Sequence, residues 1–372
     1  MKEHRKTFIG FLATRLPLVA TALILLIIVA IVANFLITGV PFLSWEFLTE
    51  SPREMNTEGG IFPAIFGTLL LVIIMTLAAV PVGTITAIYL TEYARQNSAF
   101  ARIIRFAVNT LAGVPSIVFG LFGVGFFIQT VGASVDRFNW DAHLGEVRIY
   151  LDESSSPLSN GKAAPVAALQ KWMTADDEEY WAPEIAHLNG VPEGLSAPRT
   201  LPQVMSYLET KTDLKWGKPN ILWAALTLAL LTLPVVIVSV EEALRAVPRD
   251  VRDASIALGA TKWETIRKIV LPNAVSGILT GSILAVGRGA GEVAPIIFTG
   301  AVYSQQQLPT ALTDQFMHLG NHLYILATQS TDVDATRPIQ YATTIVLLAL
   351  TLALNFTAIT LRSRIRRRRV AG

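Results

Sequence analysis

Apolar residues in this chain fall into long unbroken runs: Leu16 to Thr38, Ile61 to Tyr89, Phe106 to Val131, Ile221 to Val240, Ala274 to Tyr303 and Ile339 to Leu361. Each is roughly 20 residues or more, the length a helix needs to cross a hydrocarbon layer of about 30 Å. Backbone in lipid must satisfy its own hydrogen bonds, and the polar alternation of a barrel is missing, so the pattern predicts an all-α integral membrane protein of about six spans. The first run follows Lys2, Arg5, Lys6 and Arg15, a lead that a secretory signal also has. Its length, and its end at Gly39-Val40-Pro41 without a small-residue cleavage pattern, predict a retained helix.

Composition agrees with lipid as the main solvent: 52% of residues are hydrophobic and 16% charged. A net charge of +2 suggests no nucleic-acid partner, and the absence of cysteine excludes disulfides, thiolate metal sites and cysteine nucleophiles. The basic residues matter through their placement. Arg95, Arg102 and Arg105, then Arg245 to Lys268, then Arg362 to Arg369 occupy one set of connections, while 39–60 and 304–338 carry only Arg53 and Arg337. Positive residues accumulate on the cytoplasmic side, so both termini are expected there, with Arg366 to Arg369 as a topology anchor near membrane lipid. Residues 1–131 then hold spans one to three and 221–372 spans four to six. Between them, 132–220 is polar, with Asp176-Asp177-Glu178-Glu179 and several aromatic residues. It is expected to be an ordered external insert.

Two segments carry candidate chemistry. In the cytoplasmic stretch 241–272, Arg249 to Leu258 reads as a short helix stopped by Gly259, and Lys262 to Val270 as a second one ended by Pro272. Val251, Ala254 and Leu258 share one face of the first, which suits docking into a partner's groove or an ordinary surface helix. The fifth span contains Arg288 and Glu292 inside an apolar run. An ionised group at membrane depth costs at least about 2.5 to 3.5 kcal/mol, which demands a partner, a polar pathway or both. Counted from Pro272, Arg288 lies about 22 Å along the helix. A spacing of four puts both charges on one helix face, so an internal ion pair and an anion-binding role stand side by side. Glycines at 277, 281, 287, 289 and 291 suit close helix packing better than a dinucleotide loop, because no strand precedes them. Pro295 is expected to kink the helix beyond Glu292.

Other candidates are weaker. His318 and His322 have a zinc-compatible spacing but no evident third ligand, and read as polar loop residues. Gly161-Lys162 is not a nucleotide loop, since Ser156 stands where glycine is needed, so ATP has to be bound by another subunit.

The run Asp253-Ala254-Ser255, three residues, Gly259, nine residues, Ile269-Val270-Leu271-Pro272 resembles the Glu-Ala-Ala cytoplasmic loop of ATP-binding-cassette importer permeases, with Asp at 253 and Ser at 255 as departures. Gly287-Arg288, Gly291-Glu292 and Ala294 to Thr299 resemble the fifth span of the PstA family of phosphate permeases. So do 59–65 with Gly67-Thr68-Leu69, Tyr89-Leu90-Thr91-Glu92-Tyr93, and Leu111 to Ser116. The resemblance implies a type I importer permease fold and half of a phosphate pathway through Arg288 and Glu292. ATPase coupling would run through Asp253, Ala254, Gly259, Ile269, Leu271 and Pro272. It further implies a second permease of the PstC type, two ATPases of the PstB type holding ATP and Mg, and an external phosphate-binding protein of the PstS type. No cofactor or catalysis is expected of this chain itself. A permease for sulfate or molybdate, or a membrane-anchored sensor, is the alternative.

Overall fold

The computed structural model describes residues 2–53, 58–95, 98–140, 215–330 and 333–370. Besides a 3-10 turn over Val40–Phe42 and a single helical turn over Trp45–Thr49, its helices are α1 (Lys2–Gly39), α2 (Phe62–Ile88, prolonged by a π turn over Tyr89–Tyr93), α3 (Ala99–Leu111), α4 (Ser116–Trp140), α5 (Ile221–Arg245), α6 (Arg249–Ala257), α7 (Lys262–Gly289), α8 (Ala294–Thr299), α9 (Leu319–Thr328) and α10 (Val333–Val370). Six of them, α1, α2, α4, α5, α7 and α10, are long and apolar enough to cross a membrane. A two-residue hairpin pairs β1 (Pro52–Arg53) with β2 (Glu58–Gly59).

The chain forms two compact units, Met1–Gly123 with Pro219–Gly372, and Val124–Lys218. In the larger, α5 is central: 67% of its most apolar window is buried, against 0% for the corresponding windows of α1 and α10. It packs on α2 through Leu71, Met75, Ala224 and Leu228, and on α7 through Val236, Val240 and Ala285. Lipid supplies no hydrophobic drive between spans, so these contacts depend on close packing. Gly277 and Gly281 let α7 approach Ala243 and Ser239 of α5, and Gly289 lets it approach Met75 of α2. The expectation that these glycines serve packing is met there; Gly291 touches only its own turn. In the smaller unit, Asp136 near the end of α4 is buried and accepts the Trp216 and Gly217 N–H groups at 2.9 and 2.5 Å. It ties the end of α4 to residues 216–217. Residues 141–214, with the acidic run and Gly161-Lys162 of the expected insert, lie outside the described residues.

Three expectations need correcting. The third span begins at Ser116 rather than Phe106: Gly113, Val114 and Pro115 turn the chain, and the preceding α3 is a separate amphipathic helix whose Ala101 and Val108 are buried while Ile103 and Phe106 are exposed. Pro272 does not end a helix. The residues from Lys262 onward continue unbroken into the fifth span, because Ile266–Val270 form a π turn immediately before the proline. Such a bulge relieves the clash between the ring and the preceding turn, and removes the need for the missing N–H. The fifth span does not run to Tyr303 with a kink at Pro295; it stops at Gly289, and Pro295 opens α8 after a break.

The motif residues at the start of α2 are structural. Thr68 Oγ1 donates to the Ala64 carbonyl at 2.6 Å and accepts the Leu319 N–H at 2.9 Å, which fixes the buried 316–319 strand of chain against α2. A Cβ on Gly67 would lie 2.1 Å from the Met317 carbonyl oxygen. Gly67→Val should therefore destabilise by about 1–3 kcal/mol or more through overpacking against rigid backbone, read as a lowered thermal midpoint in detergent.

Candidate functional site

Arg288 and Glu292 do come together, though not as two positions on one helix. Arg288 occupies the last turn of α7, where a cation is favoured by the carbonyl end of the helix. Glu292 lies past the helix, in a turn held by Gly291 N–H to Arg288 C=O and Glu292 N–H to Gly289 C=O. The Arg288 Nε donates to Glu292 Oε1 at 3.4 Å, a long contact, and the two side chains are 43% and 22% exposed. The pair is thus loose and reachable. Beside it, Gly287 faces Asn355 of α10, whose Oδ1 is buried without a donor. Asn355 went unnoticed in the sequence, since one amide in an apolar run carries no pattern.

The coupling candidates assemble at the opposite end of α7. Gly259 ends α6 at φ +87°, with Ala260 N–H to Ser255 C=O at 3.2 Å and Gly259 N–H to Ile256 C=O at 2.9 Å, the paired bonds of a Schellman stop. Thr261 then caps α7: its Oγ1 accepts from the Glu264 N–H, and Glu264 Oε2 accepts from the Thr261 N–H. Two successive local signals therefore define the bend. Asp253 and Ala254 are exposed, Ile269, Leu271 and Pro272 half-buried. The apolar face expected of α6 is left bare: Val251 is 42% and Leu258 89% exposed, and Trp263 on α7 adds 55%.

What holds α6 in place escaped the sequence reading. Arg252 reaches the Leu244 carbonyl and pairs with Glu92 at 3.2 Å, with side chains only 19% and 9% exposed. Ser255, a departure from the motif, shares a 3.0 Å hydrogen bond with Thr265 of α7. Glu92 belongs to the Tyr89–Tyr93 run that carried part of the family resemblance, so that run locks α6 to α2. A charge on a span's end facing another far along the chain is invisible to any local pattern.

His318 and His322 are not loop residues. His318 caps α9, its Nδ1 accepting the Gly320 N–H at 3.1 Å, and His322 lies within that helix; both are essentially fully buried. Burial pushes His318 down to about 3 and His322 to about 4, against an ordinary 6.5. Both are neutral when folded, while the unfolded chain takes up protons below 6.5. Stability is therefore fully present above that value and lost as pH falls towards the folded values. At pH 5 the loss should reach about 2 kcal/mol per histidine. Thermal unfolding of the purified chain between pH 7.5 and 5 checks this, with His322→Gln flattening the slope.

Comparison with known proteins bears on these segments. The family model described as "Binding-protein-dependent transport system inner membrane component" matches residues 79–370, a range that contains both. A probable ABC transporter permease protein YqgI of Bacillus subtilis is 26% identical over 291 residues, 78% of this chain and 70% of that one. The phosphate transport system permease protein PstA of Haemophilus influenzae is 27% identical over 317 residues, 85% of this chain and 76% of its own. PstA 1 of Mycobacterium tuberculosis strain H37Rv is 30% identical over 252 residues, 67% of this chain and 54% of its own, so this chain spans about half of that relative.

Proposed function

We propose a phosphate-conducting role for this chain, which belongs to the family of binding-protein-dependent transport system inner membrane components. It is a multi-pass membrane transport component, not an enzyme. In the proposed reading it supplies half of a pathway through the inner membrane, beside a second permease of the PstC type. Both termini, α3 and α6 face the cytoplasm, and 132–220 faces outward, where a phosphate-binding protein of the PstS type delivers substrate. Two ATPases of the PstB type hold ATP and Mg, and one of them docks on the bare face of α6.

The observation that carries the reading is the character of the Arg288–Glu292 pair. A structural ion pair is covered, as Arg252–Glu92 is at 19% and 9% exposure; this one stands open at 43% and 22%, its hydrogen bond long. Glu292 offsets the guanidinium while the site is empty and yields it to a tetrahedral oxyanion, which the planar fork holds by two parallel charge-assisted hydrogen bonds. The phosphate relatives supply the choice of anion.

Movement reaches this site through α7 itself. The helix starts at the coupling bend and ends one residue past Arg288, 28 residues in one piece, roughly 42 Å. Asp253, Ala254 and Gly259 lie on the ATPase side of the bend, and Ile269, Leu271 and Pro272 lie on the helix that carries the push. Closure of the ATPases tilts α6, held to α2 by Arg252 and to α7 by Ser255, and so displaces the end of α7 with its arginine. Uptake of labelled phosphate into vesicles holding the whole complex tests the role. Expected is ATP-dependent accumulation that unlabelled phosphate displaces; equal displacement by sulfate or molybdate would reassign the substrate, and no flux would make the chain a sensor.

A further inference from the structure

Five arginines converge on one cavity at the end of the spans where α6 sits. Arg95 follows the π turn after α2, Arg105 lies on α3, Arg245 ends α5, and Arg249 and Arg252 belong to α6; together they line about 560 Å³. The carboxylates paired with them among the described residues are Glu92, 3.2 Å from Arg252, and Glu241, 3.8 Å from Arg105 Nε and 3.1 Å from Arg245. Five positive charges against two negative ones leave three in excess. The guanidinium groups of Arg95 and Arg249 have no hydrogen bond or ion pair among the described residues, and the Nε atoms of Arg105 and Arg252 are buried without a hydrogen-bond acceptor.

Like charges gathered in a concave, partly dry space repel one another, and low-dielectric walls concentrate their field on whatever enters. Guanidinium groups approaching from α3, α5, α6 and the chain just beyond α2 offer forks that match tetrahedral oxygens, and the space is of the size that ligand sites occupy. We infer that this cavity is a second anion site, at the far end of α7 from Arg288, which takes a phosphate-type oxyanion: inorganic phosphate or the headgroup of an anionic phospholipid. Bound there, the anion bridges Arg249 of α6 to Arg95 beyond α2 and stiffens the same joint that Arg252 and Glu92 make. The inference stands on these arginines alone, whatever passes Arg288.

The test uses the complete complex, ATPases included, in lipid nanodiscs and with Arg288→Gln in every sample, so that the pathway site is silent. In phosphatidylcholine discs, labelled inorganic phosphate binding is measured at equilibrium. In discs containing phosphatidylglycerol, that lipid is counted on the complex by native mass spectrometry. Arg95→Gln with Arg249→Gln should weaken binding about tenfold or more in one arm, and lysine at both positions should restore part of it. A change in the first arm identifies a soluble anion and a change in the second a lipid headgroup. Should the double variant fail to assemble, Arg95→Gln alone, outside α6, carries the test. Identical binding by parent and variant in both arms, or binding that occurs only when the ATPases are removed, overturns the inference; the latter would mean that those subunits cover the arginines.

Discussion

Arg288→Gln is expected to abolish ATP-driven phosphate uptake by the assembled complex while leaving assembly and basal ATP hydrolysis intact. Glutamine keeps most of the volume and loses the charge and the fork. Two charge-assisted hydrogen bonds to the anion are worth about 3 kcal/mol or more, so uptake should fall by roughly a hundredfold at least. The fold should not suffer, because the guanidinium is 43% exposed and its partner contact is long. Arg288→Lys retains the charge without the fork and should fall between the two. Glu292→Gln should act in the other direction on binding: with no carboxylate to compete, the arginine holds anion more tightly and releases it more slowly, so flux drops while occupancy rises. Uptake by Arg288→Gln within twofold of the parent would remove Arg288 from the pathway.

Leu258→Asp is expected to cost the complex its ATPases. An 89% exposed leucine contributes little to folding, so the thermal midpoint of the chain alone should hardly move. Buried in a partner's groove, the same side chain is worth about 1.5–3 kcal/mol, and a carboxylate in its place adds a desolvation cost. Retention of the ATPase on the tagged chain should fall by about two orders of magnitude. Gly259→Ala is the informative comparison. Its Cβ meets nothing within 4 Å, yet φ is +87°, so the whole penalty of about 1 kcal/mol falls on the geometry of the bend. Coupling should then weaken without loss of docking. Full ATPase retention by Leu258→Asp would place the docking face elsewhere.

Local chemistry was legible wherever one stretch of chain contains both the cause and the effect. Gly259 stops α6 and Thr261 with Glu264 starts α7, because capping needs only neighbours along the sequence. The six spans are legible for the same reason, since lipid constrains each run by itself. Pro272 misled because a proline's effect depends on the turn before it, and a π turn there costs little once Val270 packs in one cluster with Val240 and Leu244 of α5. His318 and His322 misled because polarity was taken for exposure.

By itself, then, the order of residues determined that this is a helical membrane protein, where four of its six spans lie to within about two turns, and which two segments hold the charges and the bend that matter. Only the tertiary structure decided that those segments are the two ends of one continuous helix, that Arg252 and Glu92 are covered while Arg288 and Glu292 stay open, and that arginines from α3, α5, α6 and the chain just beyond α2 share a cavity. The reason is physical. Backbone hydrogen bonding and burial in lipid act within a run of residues, whereas the pairing of charges depends on which helices pack together, and that is set by small contacts such as Gly277 on Ala243, spread thinly along the whole chain.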